Sequence, residues 1–233
     1  MACILHIETS TKVCSVAVSQ DSAVIFDKAD FEGPNHATVC APFVEEALSF
    51  AESHAIPLDA VAVSEGPGSY TGLRIGVSLA KGVAYGRGVP LISVPTLKLL
   101  TVPLLLFRED LPEDALFIPM IDARRMEVYA AVYDRALREV RGTQADIVNA
   151  STYAEYLDQA PVCFFGPGAA KCREVINHSN AIFIDNIHPQ AKYMQPLAER
   201  KYWNNDFADT AYFEPFYLKE FVATKPKDLL HQS

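Results

Sequence analysis

The chain has 233 residues, of which 50% are hydrophobic and 21% are charged, so it can bury one large core or two smaller ones. This composition excludes an intrinsically disordered chain, which combines low hydrophobicity with high net charge. The net charge of −9 argues against a protein that binds nucleic acid by itself, because its average surface repels phosphates.

The first hundred residues predict three strands, a helix and a strand, and then a second helix and a fifth strand. The strands are short runs rich in Val, Ile and Ala, and the first helix carries its apolar residues at helical spacing. The predicted ranges are Cys3–Glu8, Val13–Ser19, Ala23–Ala29, Asn35–Ser53, Ala60–Glu65, Thr71–Tyr85 and Pro90–Val94. A hairpin sheet extended by helical crossovers in this order is the pattern of a ribonuclease-H-like mixed sheet.

The remaining residues predict the same order of elements in a shorter form. A linking helix or loop from Pro95 to Phe107 leads into three strands, which are followed by alternating helices and strands. The predicted ranges are Leu116–Asp122, Met126–Tyr133, Leu137–Arg141, Thr152–Gln159, Val162–Phe165, Ala169–Ile176, Ala181–Ile184 and Gln190–Trp203. We therefore predict an α/β protein with mixed sheets, divided into an N-terminal ribonuclease-H-like domain over residues 1–100 and a shorter one over residues 101–233.

Two local matches support this duplication. The strand end Ile7-Glu8 is followed by a short turn and a strand, and so is Ile121-Asp122 in the second half. Gly66-Pro67-Gly68 follows a strand, and Gly166-Pro167-Gly168 follows another strand 100 residues later. Each match alone is weak, but their common order makes a duplicated domain the better interpretation.

The turns after the first strand of each half are candidate phosphate-binding loops, now vestigial. The first turn, Glu8-Thr9-Ser10-Thr11, has small residues whose backbone N–H groups can hold a phosphate. The second turn, Asp122-Ala123-Arg124-Arg125, has no glycine to allow close backbone approach, although arginine can itself bind phosphate. Two structural turns with capping polar groups are the alternative.

The helix predicted over Thr71–Tyr85 contains several glycines. Each interior glycine costs up to about 1 kcal/mol relative to alanine, so this helix needs a compensating contact. Spacing of i,i+4 gives two adjacent ridges: Gly72, Gly76, Ala80 and Ala84 on one, and Ile75, Leu79, Gly82 and Gly86 on the other. One ridge must pack on the chain's own sheet, and the other either packs inside the domain as well or accepts a partner helix.

The sequence shows no catalytic or metal-binding constellation, and we expect neither an export signal nor a membrane-spanning segment. The six histidines lack ligand spacing, and the five cysteines include no C-x-x-C pair, a pattern typical of reduced, packed thiols in the cytoplasm. The string Gly66–Gly76 is neither the phosphate loop of nucleotide hydrolases nor a nucleophile elbow. We therefore expect a cytoplasmic protein without a metal, a cofactor or a membrane partner.

Six segments spread over nearly the whole chain carry a recognisable pattern. They are Ile4–Ser10, Cys14–Val18, Gly66–Gly76, Ala80–Gly82, Ile118–Arg124 and Pro215–Lys219. They resemble the bacterial TsaB (YeaZ) family, which belongs with its paralogue TsaD to the glycoprotease-like proteins. The resemblance implies a duplicated actin-like, hexokinase-like (ASKHA) fold. It also implies a role in making N6-threonylcarbamoyladenosine at position 37 of tRNAs that read codons beginning with adenine.

The resemblance further implies an accessory subunit with no catalytic residue of its own. Members of the family bind TsaD, and this pair recruits the ATPase TsaE, so that tRNA is reached only through the complex. A homodimer is expected when the chain is alone. Two histidines bind a metal in TsaD; Thr96 and Leu100 stand at their positions here, and neither can replace an imidazole. Tyr70 and Lys219 depart mildly from the family's usual Phe and Arg.

We therefore predict a partner interface on the helix over Asn35–Ser53 and on the glycine-rich helix beside it. Its residues are His36, Val39, Phe43, Gly72, Leu73, Gly76, Leu79, Ala80 and Val83. Two alternatives remain open. A metalloendopeptidase fits the glycoprotease label but not the missing histidine pair. An actin-like ATPase or kinase fits the fold but not the arginines of the second turn.

Overall fold

The computed structural model describes residues 2–33 and 35–219; the end of the predicted second domain, residues 220–233, lies outside the described residues. Within the described residues, ten strands form two sheets of five strands each. The first sheet contains β1 (Cys3–Glu8), β2 (Cys14–Gln20), β3 (Ala23–Asp30), β4 (Ala60–Gly66) and β5 (Leu91–Pro95). The second contains β6 (Leu116–Asp122), β7 (Glu127–Tyr133), β8 (Glu139–Ile147), β9 (Val162–Phe165) and β10 (Ala181–Ile184).

The two sheets have the same topology. The strand order is β3-β2-β1-β4-β5 in the first sheet and, read in the same sense, β8-β7-β6-β9-β10 in the second. In each sheet the first three strands pair antiparallel as a meander, and the fourth and fifth strands add in parallel. Parallel pairs need crossover connections, which the chain supplies between the fourth and fifth strands of each unit. The predicted duplicated mixed-sheet fold is confirmed.

The helices surround the first sheet more fully than the second. They are α1 (His36–Ser53), α2 (Tyr70–Arg87), α3 (Thr96–Phe107), α4 (Ala154–Leu157) and α5 (Gln195–Trp203), with 3-10 turns at Ala170–Cys172 and Ala191–Met194. Along β1, Leu5 and Ile7 face the core under α1 and α2, whereas Ile4 faces a second core under α3 and α5. Because both faces are covered, every residue of β1 is buried, including the polar His6 and Glu8.

Helix α3 lies between the two sheets. The sequence predicts either a helix or a loop over Pro95–Phe107, and the structure shows a helix that starts at Thr96. Leu99 packs against the first sheet, and Leu97 and Leu100 pack against the second. The predicted domain boundary at residue 100 stays a prediction; it falls inside this shared helix.

Two predicted helices of the second unit are much shorter than expected. The segment Thr152–Gln159 forms one helical turn, α4, and Ala169–Ile176 forms only a 3-10 turn. Both segments still contribute side chains to the second core, with Tyr153 and Leu157 from the first and Cys172 and Ile176 from the second. The final helical segment, predicted in the second unit, packs on the first sheet instead, through Ala198 of α5 and Met194 of the 3-10 turn before it. Within residues 2–33 and 35–219, no helix is both long and apolar enough to cross a membrane.

Candidate functional site

The predicted turns of both halves come together in one cleft between the two sheets, with a volume of 920 Å³. The hairpin turns after β1 and β6 and the glycine-proline turns after β4 and β9 all lie at the ends of neighbouring strands. Their lining residues include Ser10, Thr11, Gly68, Asp122, Arg124 and Gly166. The four turns therefore lie at equivalent positions in the two sheets, as the predicted duplication requires.

The first turn is packed tightly against the start of α2. A Cβ atom at Gly68 would overlap the Ser10 carbonyl, and one at Gly72 would overlap the Thr9 carbonyl. The Ser69 N–H donates to the Ser10 carbonyl at 2.6 Å, and the Thr9 hydroxyl donates to the Gly72 carbonyl at 2.8 Å. The glycines thus allow close approach of helix and turn, and this geometry favours the structural interpretation of the turn over a phosphate loop.

Glu8 is fully buried beneath this turn. Its Oε1 accepts hydrogen bonds from the N–H and the hydroxyl of Ser10, both at 2.5 Å. The nearby Ser64 hydroxyl also interacts with this carboxyl and acts to lower its pKa. Burial raises the pKa of Glu8 to about 7, against the lowering effect of the Ser10 hydrogen bonds. The folded protein therefore holds a proton on this carboxyl up to neutral pH.

The second turn is held by a lysine from a distant segment. Arg124 and Arg125 both adopt positive φ, 72° and 50°, and Asp122 Oδ1 accepts from the Arg124 N–H at 2.9 Å. Lys171 Nζ donates to the same carboxylate oxygen at 2.5 Å and to the carbonyls of Arg125 and Glu127, each at 2.7 Å. The Asp122 carboxylate is thus engaged in holding the hairpin.

The predicted small-residue interface on α2 is wrong for one of its two ridges. Gly72, Gly76 and Ala80 are buried inside the chain, and a Cβ at Gly76 would overlap the hydroxyl of Thr9. Leu73, also predicted for the interface, is fully buried. This ridge faces the chain's own first turn and sheet, because the helix must approach the turn closely there.

His36 was also predicted to face a partner, and this prediction is wrong. It is 5% exposed at the start of α1 and lines the cleft instead of the outer face of the helix. Its Nε2 has no hydrogen-bond partner among the described residues. The helix spacing could not reveal this, because the cleft forms only when both sheets are assembled.

The other predicted interface residues lie on the outer face of the first unit. Val39 and Phe43 on α1 and Leu79 and Val83 on α2 are half-buried against the core below. At Gly82 on α2, a Cβ atom would meet nothing within 4 Å, and the same holds for Gly86. An ion pair between Glu52 and Arg87 joins the C-terminal ends of the two helices, which therefore run side by side in the same direction.

The described residues contain no cluster of three or more His, Cys, Asp or Glu side chains able to hold a metal ion. Thr96 and Leu100, at the positions of the paralogue's metal ligands, are both fully buried. All five cysteines are free and buried, and burial raises the pKa of Cys3 and of Cys163 to about 11. These two thiols are therefore protonated and unreactive at neutral pH.

The C-terminal residues make contacts that the sequence does not predict. The Phe216 N–H donates to the Glu65 carbonyl at 2.6 Å, and Lys219 Nζ lies 2.5 Å from the Glu127 carboxylate of the second sheet. The rings of Tyr70 and Tyr217 lie 4.7 Å apart in the cleft. The Pro215–Lys219 string is one of the segments that carry the family resemblance, but no local signal shows that it returns to the cleft.

Comparisons with known sequences identify relatives along almost the whole chain. The profile of the family described as TsaD, tRNA N6-adenosine threonylcarbamoyltransferase, matches residues 32–225. The chain is 30% identical to the tRNA threonylcarbamoyladenosine biosynthesis protein TsaB of Escherichia coli K12, covering 95% of this chain and 96% of that protein. It is 27% identical to the Haemophilus influenzae protein of the same name, covering 95% of each.

Two solved structures from Pseudomonas aeruginosa share the fold. One is an uncharacterized protein with similarity to peptidase YeaZ, with a TM-score of 0.80 and 22% identity. The other is YeaZ itself, with a TM-score of 0.73 and 23% identity. Each comparison covers 94% of this chain and 100% of the other. At these identities, the likeness establishes a common fold.

Proposed function

The chain belongs to the TsaB family of tRNA threonylcarbamoyladenosine biosynthesis proteins, and we propose that it is a non-catalytic scaffold subunit in forming N6-threonylcarbamoyladenosine at position 37 of tRNA. The observation that carries the proposal is the match to the Escherichia coli protein over 95% of this chain. The buried Thr96 and Leu100 oppose a metallopeptidase at the paralogue's metal position. The tightly packed first turn opposes an ATPase or kinase.

The partner that we propose is a TsaD-type paralogue, bound as a heterodimer. The match of the TsaD family profile to residues 32–225 supports a common fold for the two proteins. Two chains with one fold can bring equivalent helix faces together about a local two-fold axis. The same geometry permits a homodimer when the paralogue is absent. TsaE would join through the heterodimer, and tRNA would be bound only by the complete assembly, in the cytoplasm.

The outer face of α1 and α2 is the proposed interface. Its apolar side chains, Val39, Phe43, Leu79 and Val83, are only half-buried, so a partner can remove further apolar surface from water. The open space above Gly82 allows a partner helix to approach the α2 backbone closely. This face replaces the Gly72–Ala80 ridge of the sequence-based prediction.

A pair of matched variants tests the interface. Gly82→Arg places a long charged side chain in the open space on α2, and we expect its affinity for the purified TsaD-type paralogue to fall at least tenfold, about 1.4 kcal/mol. Ala150→Arg adds the same side chain to an exposed turn of the second unit and should bind like the parent. Calorimetry measures both affinities, and equal binding by the two variants would rule out this face.

Reconstitution tests the scaffold role itself. The paralogue, TsaE, the threonylcarbamoyl-adenylate synthase, tRNA, threonine, bicarbonate and ATP would be mixed with and without the chain, and modified adenosine would be measured by mass spectrometry. We expect modification only when the chain is present, and loss of modification with Gly82→Arg. Full modification without the chain would refute the proposal.

A further inference from the structure

The residues after α5 form a strap, defined here as residues 204–219, that crosses the first unit and returns to the cleft. Ala208 bridges to the edge strand β5, its N–H donating to the Leu91 carbonyl at 2.8 Å. Phe213 packs against the core beneath α1 and α2. The strap therefore passes alongside α2 before it enters the cleft at Phe216.

One turn of the strap is fixed from both sides. On the strap itself, Asp209 Oδ1 accepts the N–H groups of Ala211 at 2.8 Å and of Tyr212 at 3.1 Å. From α2, Lys81 Nζ donates to the carbonyls of Ala211 and Phe213, each at 3.0 Å. The two bonds from Lys81 flank Tyr212, so this residue is held in a defined position beside the helix.

The side chain at the centre of this ordered turn, Tyr212, is exposed to solvent. Tyr212 is 84% exposed, whereas the next residue, Phe213, turns inward. On α2, one helical turn beyond Lys81, Tyr85 is 86% exposed. These hydrogen bonds therefore organise a turn whose central aromatic ring contributes little to the protein's own packing.

We propose that Tyr212 and Tyr85 extend the partner interface of α2 and bind the TsaD-type paralogue, with Lys81 as the positioning residue. This inference rests on the proposed function and names further residues of the same interface. Tyr85 lies three residues after Gly82 and four after Lys81 on α2, so it is a helix-surface neighbour of both and connects the strap with the surface already assigned to the partner. Tyrosine is enriched among the residues that dominate binding energies, and a pre-ordered turn loses little conformational entropy on binding.

The charges around the turn favour a protein over tRNA as the ligand. Asp209 and Glu214 are exposed on the strap on either side of Tyr212. Their carboxylates would repel a phosphate backbone, whereas a protein surface can meet them with N–H groups or basic side chains. Lys81 does not offset them toward a ligand, since it is engaged with the two strap carbonyls.

The experiment measures the affinity of each variant for the purified paralogue. We expect Tyr212→Ala to weaken binding at least tenfold. Lys81→Met keeps the aliphatic stem but loses both hydrogen bonds, and it should weaken binding by a similar factor. The double variant should be little worse than either single one, because both changes remove the same contact. Lys81→Arg retains donors and should restore most of the affinity. Trp203→Ala removes an exposed aromatic ring from α5, on the opposite face of the sheet, and serves as the control.

The outcomes separate this inference from the proposed function. If the parent chain does not bind the paralogue, the proposed function fails. If the parent binds, and Gly82→Arg blocks binding while Tyr212→Ala does not, only the inference is overturned. It is also overturned if Tyr212→Ala weakens self-association but not the heterodimer. Melting temperatures close to the parent value for all variants would show that lost binding is not lost folding.

Discussion

Two glycines on the same helix should respond in opposite ways to one substitution. Gly76 and Gly82 both lie inside α2, so replacing either by alanine removes the same helix-propensity penalty of about 1 kcal/mol. At Gly82 the new methyl group meets nothing within 4 Å. At Gly76 it would overlap the hydroxyl of Thr9, and the Cβ and Cγ2 atoms of Thr9 lie only 3.3 Å away.

The magnitudes follow from these surroundings. Gly82→Ala should raise the free energy of unfolding by about 1 kcal/mol, or about 2–4 °C in melting temperature for a chain of this size. Gly76→Ala forces Thr9 to move, which costs about 1–3 kcal/mol in overpacking. The movement also breaks the 2.8 Å bond from Thr9 to the Gly72 carbonyl, worth about 1 kcal/mol. After the gain in propensity, Gly76→Ala should be less stable than the parent by about 1–3 kcal/mol.

Urea unfolding followed by circular dichroism measures both variants against the parent chain. The parental slope with denaturant would show that each variant unfolds in the same way. A Gly76→Ala protein as stable as the parent, or more so, would refute the tight packing between α2 and the first turn. That result would mean that the Gly72–Ala80 ridge is free to bind a partner.

Three further predictions concern pH, tRNA and nucleotide. The pKa of Glu8 is raised from 4.5 to about 7, so its contribution to stability is complete below pH 4.5 and is lost as the pH rises to 7. The difference in free energy of unfolding between Glu8→Gln and the parent should therefore shift in favour of the variant by about 3 kcal/mol between pH 4.5 and 8, as measured by urea titrations. A difference that does not change with pH would show that the pKa of Glu8 is not raised. His6, whose pKa burial lowers to about 3, is common to both proteins and cancels from this difference. The chain alone should not bind tRNA in a gel-shift assay at about 0.15 M salt, because its net charge is −9. Its arginines Arg135, Arg138 and Arg141 are already bonded to groups of the chain itself. Submicromolar binding would contradict this prediction. Calorimetry should show no micromolar affinity for ATP, because α2 packs tightly on the first turn and leaves no room for a phosphate. Elemental analysis should show no stoichiometric zinc or iron, because the buried Thr96 and Leu100 stand where the paralogue has its metal-binding histidines. Binding of either ligand would oppose the scaffold assignment.

The sequence by itself determined the order of the strands and their pairing into two equivalent sheets. Local patterns are sufficient for this: apolar runs mark buried strands, and tight polar turns mark hairpins. The repeated Gly-Pro-Gly strings 100 residues apart placed the equivalent turns. Every predicted strand is present, although β8 extends to Ile147, beyond its predicted end at Arg141.

Tertiary structure alone decided which side of α2 faces inward. Two ridges of small residues on one helix have the same local signal, and only the position of Thr9 distinguishes the buried ridge from the open one at Gly82. The cleft position of His36 and the Lys81 bonds to the strap have the same origin. They join residues far apart in the chain, as when Lys81 meets Ala211 and Phe213, and no local periodicity records such contacts. Element types follow from short-range sequence patterns, but the faces they present depend on which distant segments pack against them.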